Sequence, residues 1–186
     1  MPEPLPPPTI RPATLSDAAA LAEIAARTFC ETFVPQTRPE DVARFLAERY
    51  GVAQQSAEIA DPAMTTLLAE VEGTLAGFVQ LKLGPPPECV TGPKPVEIYR
   101  LYLDKEWHGR GLAQALMETA CSEARRLGAE TLWLGVWEHN SRAIAFYVKC
   151  GFVDVGWHLF PVGDDPQIDR ILERPLDEPG DKIAGR

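Results

Sequence analysis

The chain has 186 residues, with 18 Lys+Arg against 27 Asp+Glu, a net charge of −9 when histidine is neutral. Its length predicts one domain, and 45% hydrophobic with 24% charged residues is globular composition that excludes a wholly disordered chain. The acidic balance, without a Lys/Arg cluster, argues against nucleic-acid and membrane partners and for a small cationic one; no apolar run approaches the ~18 residues that span a bilayer.

Met1–Pro8 holds five of the eighteen prolines and reads as an unstructured arm. It lacks the basic start and apolar core of a signal peptide, so the expected compartment is the cytoplasm. A single domain is expected over residues 9–176, with 177–186 a fraying tail of Pro, Gly and charge. Ser16 can cap a helix whose apolar positions Leu21, Ile24, Ala25 and Thr28 recur at helical spacing. A second helix is expected after Pro39, with Val42, Phe45 and Leu46 on one face, and a short third one over Val52–Ala60. Strand-like runs follow at Thr65–Glu72 and Leu75–Leu83, joined by a hairpin at Glu72-Gly73-Thr74.

Gly84–Pro95 carries five more prolines and predicts a long surface connection. Val96–Leu103 reads as a strand, with Glu97, Tyr99, Leu101 and Leu103 on one face and Ile98, Arg100 and Tyr102 on the other. A long helix is expected from about Gly109 to Leu127, a buried strand over Thr131–Trp137, and a helix over Asn140–Lys149 ended by Gly151. Phe152–Val162 and Ile168–Pro175 complete the strands. The order β-α-α-β-β-β-α-β-α-β-β is an antiparallel meander followed by βα units. It predicts an α/β (α+β) fold with a mixed, mostly antiparallel sheet of about seven strands flanked by about four helices.

Cys30, Cys89, Cys121 and Cys150 form no Cys-x-x-Cys pair, and His108, His139 and His158 make no zinc-ligand spacing. Neither a disulfide framework nor a metal site is expected. Trp133 and Trp137 share a strand face, which favours core packing over a ligand cage. Asp164, Asp165 and Asp169 lie together near the last hairpin, where they either attract a cation or serve the turn.

The most informative segment is Ile98–Ala113. A strand runs into Trp107-His108-Gly109-Arg110-Gly111-Leu112-Ala113, and a helix starts at once. Such a turn aims free N–H groups at one spot, backed by the positive end of the helix dipole, and so makes an anion site. Glycines at 109 and 111 remove Cβ atoms that would hold a phosphate away. A Walker A loop needs Gly-Lys-Ser/Thr, which is missing. A Rossmann fingerprint would need glycine where Gln114 stands, on the first strand of a βαβ series. A coenzyme A diphosphate loop of the form [Arg/Gln]-x-x-Gly-x-[Gly/Ala] fits Gly111 and Ala113, with His108 in the first place. A turn that is merely tight remains the other reading.

Downstream, Leu132–Asn140 is a strand running into a helix that continues Ser-Arg-Ala143-Ile-Ala-Phe-Tyr147 and closes at Gly151-Phe152. Asn140 can cap this helix and present an amide to a ligand. Tyr147, two turns later on the same face, can place its phenol between neighbouring strands. These two segments, in this order, resemble the GNAT family of N-acetyltransferases. The run Leu132–Tyr147, with Gly156, His158, Phe160, Gly163-Asp164, Gln167 and Asp169, is similar to the PaiA-type spermidine/spermine N-acetyltransferases. Thr28-Phe29-Cys-Glu31-Thr32-Phe33 resembles an element of the same group. His108 stands where that group usually has Gln, and Tyr99 where it tends to have an acidic residue.

The resemblance implies an acetyl-CoA-dependent transfer of an acetyl group to a primary amine, polyamines favoured, in a monomer or homodimer; a protein or peptide amine as acceptor, and a non-catalytic acyl-CoA-binding sensor, are the alternative readings. It implies that Leu101, Tyr102 and Leu103 pair with the pantetheine arm, and that His108, Gly109, Arg110, Gly111, Leu112 and Ala113 hold the diphosphate. Asn140 and Tyr147 also contact the cofactor, and Glu31 is either on the amine side, which the first two helices border, or a solvated helix-end charge. An alkyl amine of pKa near ~10.4 is neutral about once in ~2,500 molecules at pH 7, a cost of about 4–5 kcal/mol. Glu97, on the central strand near the expected splay, is the candidate base that meets this cost. A backbone N–H near Leu101–Leu103 is expected to polarise the carbonyl, and Tyr147 to protonate the leaving thiolate.

Overall fold

A computed structural model of the chain describes residues 6–33, 39–162 and 165–176. Most of the expected arm, the whole tail, Gly163, and Asp164 of the acidic patch lie outside the described residues. The strands are β1 (Thr9–Pro12), β2 (Met64–Val71), β3 (Thr74–Lys82), β4 (Pro95–Leu103), β5 (Thr131–Trp137), β6 (Val153–Val162) and β7 (Asp165–Pro175). The helices are α1 (Ala18–Phe33), α2 (Pro39–Arg49), α3 (Val52–Ala60), α4 (Leu112–Arg126) and α5 (Ser141–Lys149). None is long and apolar enough to cross a membrane.

The strands form one sheet in the order β1-β2-β3-β4-β5-β7-β6. Every neighbouring pair is antiparallel except β4 and β5. The mixed sheet follows from the sequence order: hairpins join β2 to β3 and β6 to β7, while the crossover through α4 makes β5 parallel to β4. Glu72 and Gly73, at φ 51° and 77°, make the two-residue turn between β2 and β3, both in the left-handed region a tight hairpin demands.

Period-2 and period-3.6 patterning divides the core in two. Leu112, Leu116, Met117, Ala120 and Ala124 of α4 pack with Leu132, Leu134 and Val136 against one sheet face. Leu21, Ile24, Ala25 and Phe29 of α1, with Tyr50, pack with Leu68 and Phe78 against the other. The proline-rich connection is not only surface. Val90 is buried on Trp133 and Ile171, and Gly156 lies so close to Cys89 that a Cβ there would come within 2.9 Å of its side chain.

Three expectations are corrected. Ser16 is not the cap of α1: a single 3-10 turn, Leu15–Asp17, precedes the helix, and the Asp17 carboxylate accepts the Thr14 N–H at 2.7 Å. The long helix begins at Leu112 rather than Gly109, because Gly109 and Gly111 adopt φ 74° and 86° and cannot continue a right-handed turn. Side-chain alternation along β4 breaks at Tyr99. Gln80 pairs Arg100 but Leu81 pairs Ile98, so Tyr99 is the extra residue of a bulge. Ile98 therefore shares the α4 face with Leu101 and Leu103, and Glu97 shares the opposite face with Arg100 and Tyr102 rather than with Leu101 and Leu103.

Candidate active site

Strands β4 and β5 pair only through Pro95↔Thr131, Val96↔Leu132 and Glu97↔Trp133. From Ile98 onward the two strands part. The bulge at Tyr99 sits just where they do, and adds the local bend that turns β4 away. A cleft of about 1100 Å³ opens there, lined on one side by β4 from Ile98 to Leu103 and on the other by Gly135, Val136 and Trp137. This exceeds the usual volume for one drug-sized ligand and has room for a long one beside a second.

At one end of the cleft lies the turn before α4. The first intrahelical bond runs from Ala115 N to Gly111 O at 3.1 Å, so the amides of Leu112, Ala113 and Gln114 have no i−4 carbonyl to bond. Nothing lies within 4 Å of where Cβ atoms would sit on Gly109 or Gly111, so it is the backbone conformation that calls for glycine there. His108 is fixed at both ring nitrogens. Nδ1 accepts from Arg142 Nη1 at 2.8 Å, which leaves the hydrogen on Nε2 to donate to Leu103 O at 3.2 Å. Burial, then the Arg142 charge, holds the imidazole pKa below its ordinary value and keeps it neutral. Arg142 thus joins the first turn of α5 to the turn before α4, a pairing across 34 residues.

Asn140 caps α5 by accepting the Ala143 N–H on Oδ1 at 3.2 Å. The helix then carries Tyr147 into the gap, its ring against Phe146 at 5.4 Å and Phe152 at 5.8 Å. Gly151, at φ 87°, stops the helix. Burial raises the phenol pKa well above its usual value, so Tyr147 stays protonated over any working pH and keeps a proton to donate.

The opposite face of β4 is polar and buried. Arg100 donates to Glu58 Oε2 at 2.6 Å and Gln80 Oε1 at 2.7 Å, and Gln80 donates to the same Glu58 oxygen at 3.1 Å. The guanidinium lies over the Tyr50 and Tyr99 rings at 4.8 and 4.4 Å. Glu97 sits near this network, its carboxyl raised by burial and eased down by Lys82 and Arg100. At the end of β4, Arg27 of α1 clamps Asp104 through two bonds of 2.9 and 2.7 Å.

Of the residues singled out from sequence, Glu31, Glu97, Leu101, Tyr102, Leu103, His108, Gly109, Gly111, Ala113, Asn140 and Tyr147 all border this one cleft. Arg110 and Leu112 do not line it with side chains. Arg110 stacks over Trp107 at 5.5 Å, and Leu112 is buried in the α4 core. Glu31 meets Lys105 at 3.6 Å on the rim. Trp133 packs in the core, as expected from its strand face, whereas Trp137 lines the cleft. Arg142 and Trp137 lie inside the run Leu132–Tyr147 but carried no role from sequence, and Arg100 had no motif to mark it; the position of Arg142 in the first helical turn after Asn140 was the available signal for it.

Parted strands, an amide-bearing turn and a buried tyrosine in the gap form the arrangement expected of an acyl-group transferase. The chain belongs to the acetyltransferase (GNAT) family, whose model matches residues 21–152. It is 36% identical over 160 residues to an uncharacterized N-acetyltransferase from Lactobacillus delbrueckii subsp. lactis, covering 86% of this chain and 92% of the relative. Its fold is similar to that of the PaiA N-acetyltransferase of Thermoplasma acidophilum in complex with coenzyme A, with a TM-score of 0.72, 23% identity and coverage of 91% and 99% of the two chains. It is also similar to the ribosomal-protein-S18-alanine N-acetyltransferase of Escherichia coli, with a TM-score of 0.67, 19% identity and coverage of 96% and 100%. The protein is therefore an N-acetyltransferase of the GNAT type.

Proposed function

We propose that the protein transfers acetyl from acetyl-CoA to a primary amine of a polyamine, by direct attack while both substrates are bound. The observation that carries this is the gap between β4 and β5, with three free helix-start amides at one end and the Tyr147 phenol inside it. The residues present fit the cosubstrate. Leu112–Gln114 offer amides for a diphosphate, the glycine turn admits close approach, and the free edge of β4 at Leu101–Leu103 offers backbone partners to an amide-bearing arm. Acetyl-CoA supplies the activated thioester.

The protein's own residues divide the remaining work. Glu97, half-buried and raised in pKa, accepts a proton from the incoming ammonium directly or through water, more readily than an exposed carboxylate would. A backbone N–H of the parted segment of β4 faces the carbonyl oxygen as charge develops on it. Tyr147 gives its proton to the departing thiolate. An amine of a peptide is the second acceptor class that this cleft volume accommodates. The polyamine reading is supported by the carboxylates Glu31, Glu97 and Asp169 on the cleft wall, in a chain of net charge −9. Thiol release from acetyl-CoA with spermidine, spermine and a lysine peptide tests it. Preference for the two polyamines is expected; equal rates for unrelated amines would withdraw the polyamine assignment, and no release with any amine would withdraw acetyl transfer itself.

A further inference from the structure

The sheet order puts β7 between β5 and β6, and the register then aligns three side chains in one row. Trp137 of β5 lies opposite Asp169 of β7, and Asp169 lies opposite His158 of β6. All three line the cleft that holds Tyr147. By pairing they stand on the sheet face that carries Glu97 and Trp133. Gly135 precedes Trp137 on that same face. A Cβ there would stand 3.2 Å from Asp169 Oδ2 and 3.6 Å from His158 Nε2, so glycine keeps the front of the carboxylate clear. The indole is held in place by Nε1 donating to Gln167 Oε1 at 2.8 Å.

Asp169 is sunken, with 17% of its side chain exposed, and His158 Nε2 is 3.7 Å from its Oδ2. Among the described residues no lysine or arginine lies within ion-pair distance of it; Arg170, the next residue, is committed to Asp154 at 2.7 Å. Burial raises the Asp169 pKa and His158 lowers it. A carboxylate in this position gains from an external cation, since it has already lost much of its hydration. From the split at Leu134 to Trp137 is three residues of rise, and β7 is one strand further, which puts Asp169 about 11 Å from the point where the strands part. That is the reach of an alkylamine carrying a second nitrogen several bonds from the first.

We propose that Asp169, walled by Trp137 and oriented by His158, receives the second ammonium group of the acceptor, so that the cleft selects aliphatic di- and polyamines over monoamines of the same length. The carboxylate supplies a charge-assisted hydrogen bond and the indole face a cation–π contact. The inference rests on the acetyl-transfer reading of the same cleft. Its test is thiol release by the full chain with diaminoheptane and with heptylamine, in the wild type, Asp169→Asn and Gly135→Ala.

The wild type is expected to favour the diamine in kcat/KM by about 10–100-fold, the size of one hydrogen bond to a charged group. Asp169→Asn should abolish that preference through KM of the diamine, with kcat changing far less. Gly135→Ala, which keeps the carboxylate but crowds it, should erode the preference in part. Release with a preference that Asp169→Asn leaves intact would overturn this inference alone. So would a fall in kcat by the same factor for both amines, which would place Asp169 at the reacting atoms. No release with either amine would overturn the acetyl-transfer reading and this one with it.

Discussion

Replacing Tyr147 by phenylalanine removes one hydroxyl from the gap between β4 and β5 and little else. The ring's contacts with Phe146 and Phe152 need no oxygen, so the fold should survive the change. Its worth can be bounded from both ends. A thiol with a pKa near ~8.5 leaves as a thiolate only about 2 kcal/mol uphill at pH 7, so proton donation assists the step without being indispensable. A hydrogen bond to a charged group contributes about 1.5–3 kcal/mol, or roughly 10- to 150-fold. General-acid catalysis as a whole spans about 10²–10⁴-fold. The ranges meet near 10², so Tyr147→Phe should lower kcat by about two orders of magnitude, within the wider range of 10²–10⁴. Thiol release at saturating acetyl-CoA and amine measures it, with KM for acetyl-CoA nearly constant. Because burial keeps the phenol protonated, the wild type should show no alkaline fall in kcat that vanishes in the variant below about pH 10. An unchanged kcat would remove Tyr147 from the acid role.

Glu97→Gln should flatten the acidic limb of the kcat/KM profile. The base form exists above the carboxyl pKa, which burial raises, so the wild-type limb should lie above the ordinary glutamate range; a limb that persists in the variant would refute the assignment. Arg100→Met leaves Glu58 buried without its cation and should cost about 3–5 kcal/mol of stability in urea unfolding, with Arg100→Met/Glu58→Met recovering part of it. If the single variant is as stable as the wild type, the network does not hold β4 against α3. Gly111→Val forces a β-branched residue to φ 86°, a strain of about 1–2 kcal/mol or more, and should raise KM for acetyl-CoA at least ~10-fold while affecting kcat less. An unaltered KM would take the turn out of cofactor binding.

What the sequence made legible was local. Helical spacing found α1 and α2 from their apolar faces. Asn140 marked the start of α5, and the glycines at 109 and 111 marked the turn before α4. The Tyr99 bulge was hidden because a bulge is a property of two strands: only the offset between Gln80 and Leu81 on β3 reveals it, and with it the true face of Glu97. The Arg100–Glu58 and Arg27–Asp104 pairs join residues 42 and 77 positions apart, and no periodicity connects them. The row Trp137–Asp169–His158 needs β7 inserted between β5 and β6, an order that hairpin logic along the chain does not specify. Residues whose role depends on their own neighbours could be read; residues whose role depends on strand order could not.

The most direct measurement is a crystal structure of the protein with coenzyme A. Diphosphate oxygens are predicted within hydrogen-bonding distance, about 2.7–3.2 Å, of the amides of Leu112–Gln114, with the thiol beside the Tyr147 hydroxyl between the parted strands. A cofactor seated elsewhere, or β4 and β5 zipped together beyond Glu97 with Tyr147 shut out, would contradict it.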